Sequence, residues 1–228
     1  EFKPSRSEEY TFEAYNDFAG TDSIKYVYAD NAGELIASAR KLGWPIGTST
    51  PGCPQTNGLA ERMVQRVKDG IRVFLVQSGL DKTWCEWAAK CFCFGFNTGG
   101  RPSPYESRHG VQANHDCIPF GARVDFMPTP ADADKYGPFD SKTRSGIFLG
   151  YHQQPGGRFN GDYYVVDMEP FLSNPDVAPK DCRIHRIKEV HKPGKQCDLV
   201  FPLAQFRLKQ REVLNSPPCF DPVVTRLD

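Results

Sequence analysis

A loop that cannot be helix or central strand, followed at once by a long helical pattern, restricts this chain most. Pro51-Gly-Cys-Pro-Gln-Thr-Asn-Gly58 holds two prolines and two glycines in eight residues, which is turn chemistry throughout. From Leu59 to Ser78 apolar side chains recur at helical spacing, at Leu59, Met63, Val67, Ile71, Phe74 and Leu75. That spacing predicts one long amphipathic helix with a single buried stripe. A second helix is expected from Lys82 to about Phe96, and its apolar content makes Trp84 and Trp87 core residues rather than a stacking platform.

Before the loop, Tyr10, Phe12, Ala14, Tyr15 and Phe18 suit a short amphipathic helix over 7–19, closed by Gly20. Ile24 to Tyr28 is a β-rich run ending at Ala29-Asp30-Asn31. A helix from Glu34 to Leu42 follows, and Pro45 to Thr50 suits a short strand. After Gly99-Gly-Arg-Pro-Ser-Pro-Tyr105 the pattern changes to β: Arg123–Met127, Ile147–Tyr151 and Tyr163–Val166 are strand candidates, the last two joined by a turn-rich segment. The expected organisation is a unit over 1–110, a β module over 111–195 and an irregular, proline-interrupted tail over 196–228.

The chain has no net charge, but its charge is unevenly spread. Residues 1–60 carry five basic and eight acidic side chains, and residues 179–228 carry ten and six. The stretch 183–195 has five Lys or Arg and two His against one Glu, a local surface for a polyanion. Nothing approaches the eighteen consecutive apolar residues that a membrane span needs. The eight cysteines include no CxxC pair and are expected to be reduced thiols in an intracellular protein, with Cys91 and Cys93 in an apolar helix.

Two carboxylates stand at positions where chemistry is often placed. Asp30 falls where a strand yields to a turn. Glu61 falls in the first turn of the long helix. At about 100° per residue, Glu61, Gln65, Lys68 and Arg72 lie within about 60° of one another, nearly opposite the apolar stripe. One polar ridge thus joins a carboxylate, an amide and two cations; a solvated helix face is the plain alternative. Gln55, Asn57 and Arg62 flank that ridge and carry donors suited to phosphate or base edges. Asn57 also suits a helix cap.

Tyr28-Ala-Asp30-Asn-Ala-Gly-Glu34 resembles the second-aspartate block of the integrases of Copia-type retrotransposons. Thr50-Pro-Gly-Cys-Pro-Gln-Thr-Asn-Gly-Leu-Ala-Glu61-Arg62 is similar to the glutamate block of the same family. Arg101-Pro-Ser-Pro-Tyr-Glu106 resembles the short motif after the core. Phe139–Lys142 with Gly146–Tyr151 resembles the SH3-like module beyond it. The resemblance covers about residues 5–175.

It implies an α/β fold, a partial ribonuclease-H-like integrase core followed by a small β-rich SH3-like module. It implies DNA as partner, both element ends and target, a homo-oligomer in the intact parent and a nuclear location. It also implies that Asp30 and Glu61 are catalytic and hold Mg²⁺ or Mn²⁺, hard cations that prefer carboxylate oxygens. Two such ions can activate an attacking oxygen and stabilise the leaving one in phosphoryl transfer. The contacts with DNA fall to Gln55, Asn57, Arg62, Gln65, Lys68 and Arg72.

The family's first aspartate lies on a strand well before the second. Here the residues ahead of Asp30 read as the intervening helix, and neither Asp17 nor Asp22 is a suitable substitute. The family's zinc-binding HHCC module has no counterpart. The metal site is therefore expected to be incomplete and this chain alone inactive. The alternative reading is a non-catalytic nucleic-acid-binding or interaction remnant. Cys182, His185, His191 and Cys197 have metal-capable side chains, but their spacing fits no compact zinc module, so a solvated basic segment is expected there. His109, His115 and His152 fall in expected loops without evident partners.

Overall fold

The computed structural model describes residues 7–50, 57–128, 142–192 and 199–215, with side chains to residue 212. It is a mixed α/β structure of helices, a two-stranded parallel sheet and a five-stranded antiparallel sheet. Helix α1 is Glu8–Ala19. Ser7 starts it by accepting the Tyr10 amide at 3.4 Å, two glutamates stand in its first turn, and Gly20 ends it. Strand β1 (Val27–Ala29), helix α2 (Gly33–Lys41) and strand β2 (Ile46–Thr48) then form a small βαβ unit. Its strands run parallel, with Val27 opposite Ile46 and Ala29 opposite Thr48. The buried Ser38 hydroxyl donates to the Glu8 carbonyl at 2.9 Å and ties α2 to α1.

Helix α3 is Gly58–Ser78, and a single 3₁₀ turn (Lys82–Trp84) leads into α4, Cys85–Thr98. The long stripe expected on α3 is buried over only half its length. Ile71, Phe74 and Leu75 pack on the core, whereas Leu59 is 74% and Met63 38% exposed. Length explains the difference. At about 1.5 Å per residue, the 21 residues of α3 run about 32 Å and the 14 of α4 about 21 Å. The antiparallel partner therefore cannot reach the first turns of α3. Where the helices do meet they approach closely: a Cβ on Gly70 would lie 2.3 Å from the Phe92 ring.

Helix α5 is Pro104–His109, capped by the Ser103 hydroxyl at the Glu106 amide (3.0 Å). The antiparallel sheet comprises β3 (Arg123–Phe126), β4 (Arg144–Gln153), β5 (Phe159–Asp167), β6 (Ile184–Ile187) and β7 (Val190–His191), in the order β6-β5-β4-β3-β7. A short helix α6, Glu169–Ser173, follows β5. Helix α4 lies between α3 and β4, with Cys91 against Gly150. Trp84, Ala88, Cys91 and Phe94 consequently share one hydrophobic cluster with Phe120, Val124, Phe148 and Val165. The core does not divide at residue 110. Apolar side chains on the sheet face find their cover in α4, on the other side of the expected boundary.

The tail also differs from expectation. Pro202–Asn215 is a helix, α7, begun by a proline at a position where the missing N–H costs nothing. Leu203 is buried in the core, and the Arg207 side chain donates to the Gly79 carbonyl at 2.5 Å. Gly79 ends α3 in the left-handed region (φ +74), and a Cβ there would stand 2.3 Å from the Ala204 amide nitrogen. Gly79→Ala should therefore cost about 2–4 kcal/mol, from the strained backbone plus the displacement of α7. A urea unfolding curve checks this. A loss no larger than that of an ordinary surface substitution contradicts the packing of α7 on α3.

Candidate functional site

The βαβ unit sets the first carboxylate. Asp30 follows the last residue of β1 and is exposed, at the carboxyl end of both parallel strands. Its Oδ1 accepts the Ala32 amide at 3.3 Å, and the neighbouring Asn31 amide donates to the Ser49 carbonyl at 2.8 Å. The turn is thereby closed on the end of β2. Carboxyl ends of parallel strands are where α/β proteins commonly present ligand-binding groups. Tyr15 of α1 stands near enough to respond: burial, then the negative charge of Asp30, pushes its phenol above the usual range. Tyr15 also packs on Trp44, with ring centroids 5.6 Å apart.

The second carboxylate, Glu61, lies in the first turn of α3, on the exposed portion that α4 leaves uncovered. Arg62, Gln65, Lys68 and Arg72 are all exposed on the same helix. The Arg62 guanidinium donates to the Gly58 carbonyl at 3.1 Å. A residue outside the expected ridge alters its charge: Asp69 accepts from Gln65 at 2.9 Å and from Arg72 at 2.5 Å. With Glu61 counted, three cations face two carboxylates, so the ridge is only mildly positive. Asp69 was legible at i+4 from Gln65. Arg66 was missed as well, its guanidinium lying 5.3 Å from the centre of the Phe96 ring.

Asn57 occupies the residue before α3, but its side chain makes no capping hydrogen bond, so the cap reading does not hold. Its backbone (φ −112, ψ 4) departs from the extended form that directs a capping side chain at the next turn. Gln55 lies outside the described residues. Among the described residues no three His, Cys, Asp or Glu side chains gather to hold a metal ion. Asp30 and Glu61 do not by themselves fit a divalent-cation site. Asp22 is engaged elsewhere, accepting from Arg108 at 2.8 Å.

The basic segment is less solvated than its composition suggests. Its described part forms β6 and β7, at opposite edges of the sheet. Arg186 pairs with the buried Asp162, Lys192 stands 3.5 Å from Asp116, and His185 is buried with its Nε2 3.0 Å from Asp167. The other Asp167 oxygen has no hydrogen bond within range, yet Arg144 lies 3.4 Å away. At that separation charge attraction, rather than a directed bond, offsets its burial. Lys195 and Cys197 lie outside the described residues.

The three histidines expected in loops without partners all have them. His115 lies in irregular backbone as expected, but stacks edge-on against Phe94 and Tyr151. His109 ends α5 against Tyr105, and His152 on β4 meets the Tyr164 hydroxyl at 2.6 Å through Nδ1. Described cysteines 85, 91, 93, 117 and 182 are free thiols, and burial pushes Cys91 up to about 12. That is a core thiol without reactivity. Among the described residues no helix is long and apolar enough to cross a membrane.

No family model matches the chain. Over 133 residues it is 29% identical to the retrovirus-related Pol polyprotein from transposon RE1 of Arabidopsis thaliana, a match covering 54% of this chain. The chain is related to a retrotransposon polyprotein. It spans only 9% of that relative's length.

Proposed function

We propose that this chain is an integrase-derived portion of a retrotransposon Pol polyprotein that contacts DNA, and that it contributes two carboxylates to a phosphoryl-transfer site it does not complete. The observation that carries the reading is that the two blocks put Asp30 at the carboxyl end of a parallel strand and Glu61 on an exposed helix start, in that order along the chain. Both lie in blocks resembling the Copia integrases, and the relative is a Pol polyprotein. On this reading the core is the latter part of a ribonuclease-H-like domain, and the antiparallel sheet is the SH3-like module.

The chain's own residues supply the positioning. Arg62, Lys68 and Arg72 hold phosphates along α3, and Gln65, whose amide donates to Asp69 at 2.9 Å, lies on the same ridge. Asn57, at the residue before α3, joins the same contact, and Gln55 keeps the DNA-contacting role that the resemblance implies. Mg²⁺ or Mn²⁺ in the intact parent requires donors beyond the described residues, so no catalytic step is assigned to this chain. A homo-oligomer and a nuclear site of action belong to the same proposal.

The test uses a longer polypeptide that includes the segment upstream of residue 1. Strand transfer with Mg²⁺ or Mn²⁺ should fall at least about a hundredfold in Asp30→Asn and Glu61→Gln, the order seen when a principal charge-stabilising group is removed. Retained activity in both variants overturns the carboxylate assignment. The isolated chain should bind duplex DNA in a salt-dependent way yet transfer no strand.

A further inference from the structure

A cavity of about 520 Å³ opens where α1, α4 and α5 meet the turn between β4 and β5, away from the Asp30 and Glu61 blocks. We propose that it receives an unpaired nucleobase of single-stranded nucleic acid. The inference rests on the reading of the chain as a nucleic-acid-contacting protein and adds a second site with a different specificity.

Its walls carry two aromatic pairs. Tyr105 and His109 stand with ring centroids 4.4 Å apart, and Tyr164 and His152 stand at 5.3 Å, nearly perpendicular. Both pairs line the same cavity. Burial first, then the charges of Arg108 and Arg158, holds His109 below the ordinary histidine range. Burial, then Arg186, does the same to His152. Both shifts favour the neutral imidazole; His152 has its Nδ1 engaged by the Tyr164 hydroxyl at 2.6 Å, which leaves its Nε2 and the His109 ring for stacking and base edges. Asn97, Gln153 and Gln154 add amide donors and acceptors on the cavity lining.

The charge arrangement selects the ligand class. Lys90 is engaged by Glu86 at 2.8 Å and Arg108 by Asp22 at 2.8 Å, while Asp17 adds a carboxylate. A phosphate meets no concentrated positive charge inside. An aliphatic ligand offers no hydrogen-bond partner to the lining amides or to His152 Nε2. A flat, neutral heteroaromatic ring with donors and acceptors on its edge satisfies both conditions, and a nucleobase is that ring. The exposed Arg158, near enough to depress His109, is placed to meet the sugar-phosphate outside.

Architecture supports a preformed site. Arg108 also donates to the Phe18 carbonyl at 2.5 Å, and Gly20 lies against Gly156 so closely that a Cβ would stand 2.6 Å from its amide nitrogen. These contacts pin the end of α1 to the β4–β5 turn and fix the cavity mouth.

Two measurements test the proposal. Anisotropy titrations with a short labelled single strand and the matching duplex compare the parent chain with His109→Ala and His152→Ala. Single-strand affinity should fall about tenfold, the order for loss of one stacked base, while duplex affinity holds. NMR titration of the unsubstituted chain with each deoxynucleoside monophosphate should shift the His109 and His152 ring signals, whatever the variants do to folding. Unmoved ring signals, or parallel loss of single-strand and duplex binding, overturn the pocket. If α3 variants leave duplex binding intact while the histidine variants selectively weaken single-strand binding, the α3 surface is wrong and the pocket stands.

Discussion

Trp84→Ala is expected to lower stability by about 3–5 kcal/mol, a large part of the margin of an ordinary domain. The indole is fully buried, and its Nε1 donates to the Val177 carbonyl at 2.9 Å. It also packs against Phe171 at 5.6 Å between centroids. Three losses follow from one truncation: the apolar transfer, the cavity left behind and the hydrogen bond to a partly buried carbonyl. Trp84→Phe separates them, since it keeps most of the ring volume and loses the hydrogen bond, and should cost distinctly less. Chemical denaturation of both variants checks the order. A Trp84→Ala chain as stable as the parent contradicts a single core spanning residue 110. Trp87 gives the contrast, because it is half-buried at the rim and its main neighbour is Tyr164 at 5.0 Å.

The contrast bears on what a sequence can show. Elements α1 to α4 and strands β1 to β5 were legible because apolar spacing marked them and, for α1, Gly20 marked its end. Helix α5 was overlooked although Ser103-Pro104 is a capping residue followed by a first-turn proline; its six residues are too few for periodicity. Strand β6 hid behind its charge. Its His185 and Ile187 alternate inward with Arg186 outward, but the buried histidine is tolerable only because Asp167 lies 3.0 Å away on β5. Such a pairing across strands leaves no local trace. The two carboxylates of the candidate site were legible through their blocks. The cavity was not, since its aromatic pairs come from α5, β4 and β5, and only folding brings them to one place.

Reversal of two α3 cations, in a Lys68→Glu, Arg72→Glu chain, should weaken duplex binding by at least about tenfold at moderate salt, because each phosphate contact adds about 0.9 to the salt slope. The single alanine variants are not expected to be equal. Arg72 is partly held by Asp69 at 2.5 Å, so its removal costs less than the removal of Lys68. For the same reason Asp69→Asn should strengthen binding several-fold: it frees Arg72 and Gln65 and deletes a charge that repels phosphate. Titrations across a salt series read both quantities, affinity and slope. Two outcomes reject the α3 surface, namely unchanged affinity in the double reversal or weaker binding in Asp69→Asn. The second is the sharper test. Loss of binding on charge reversal follows from almost any basic surface, whereas a gain on deleting Asp69 follows only if the ridge itself meets the phosphates.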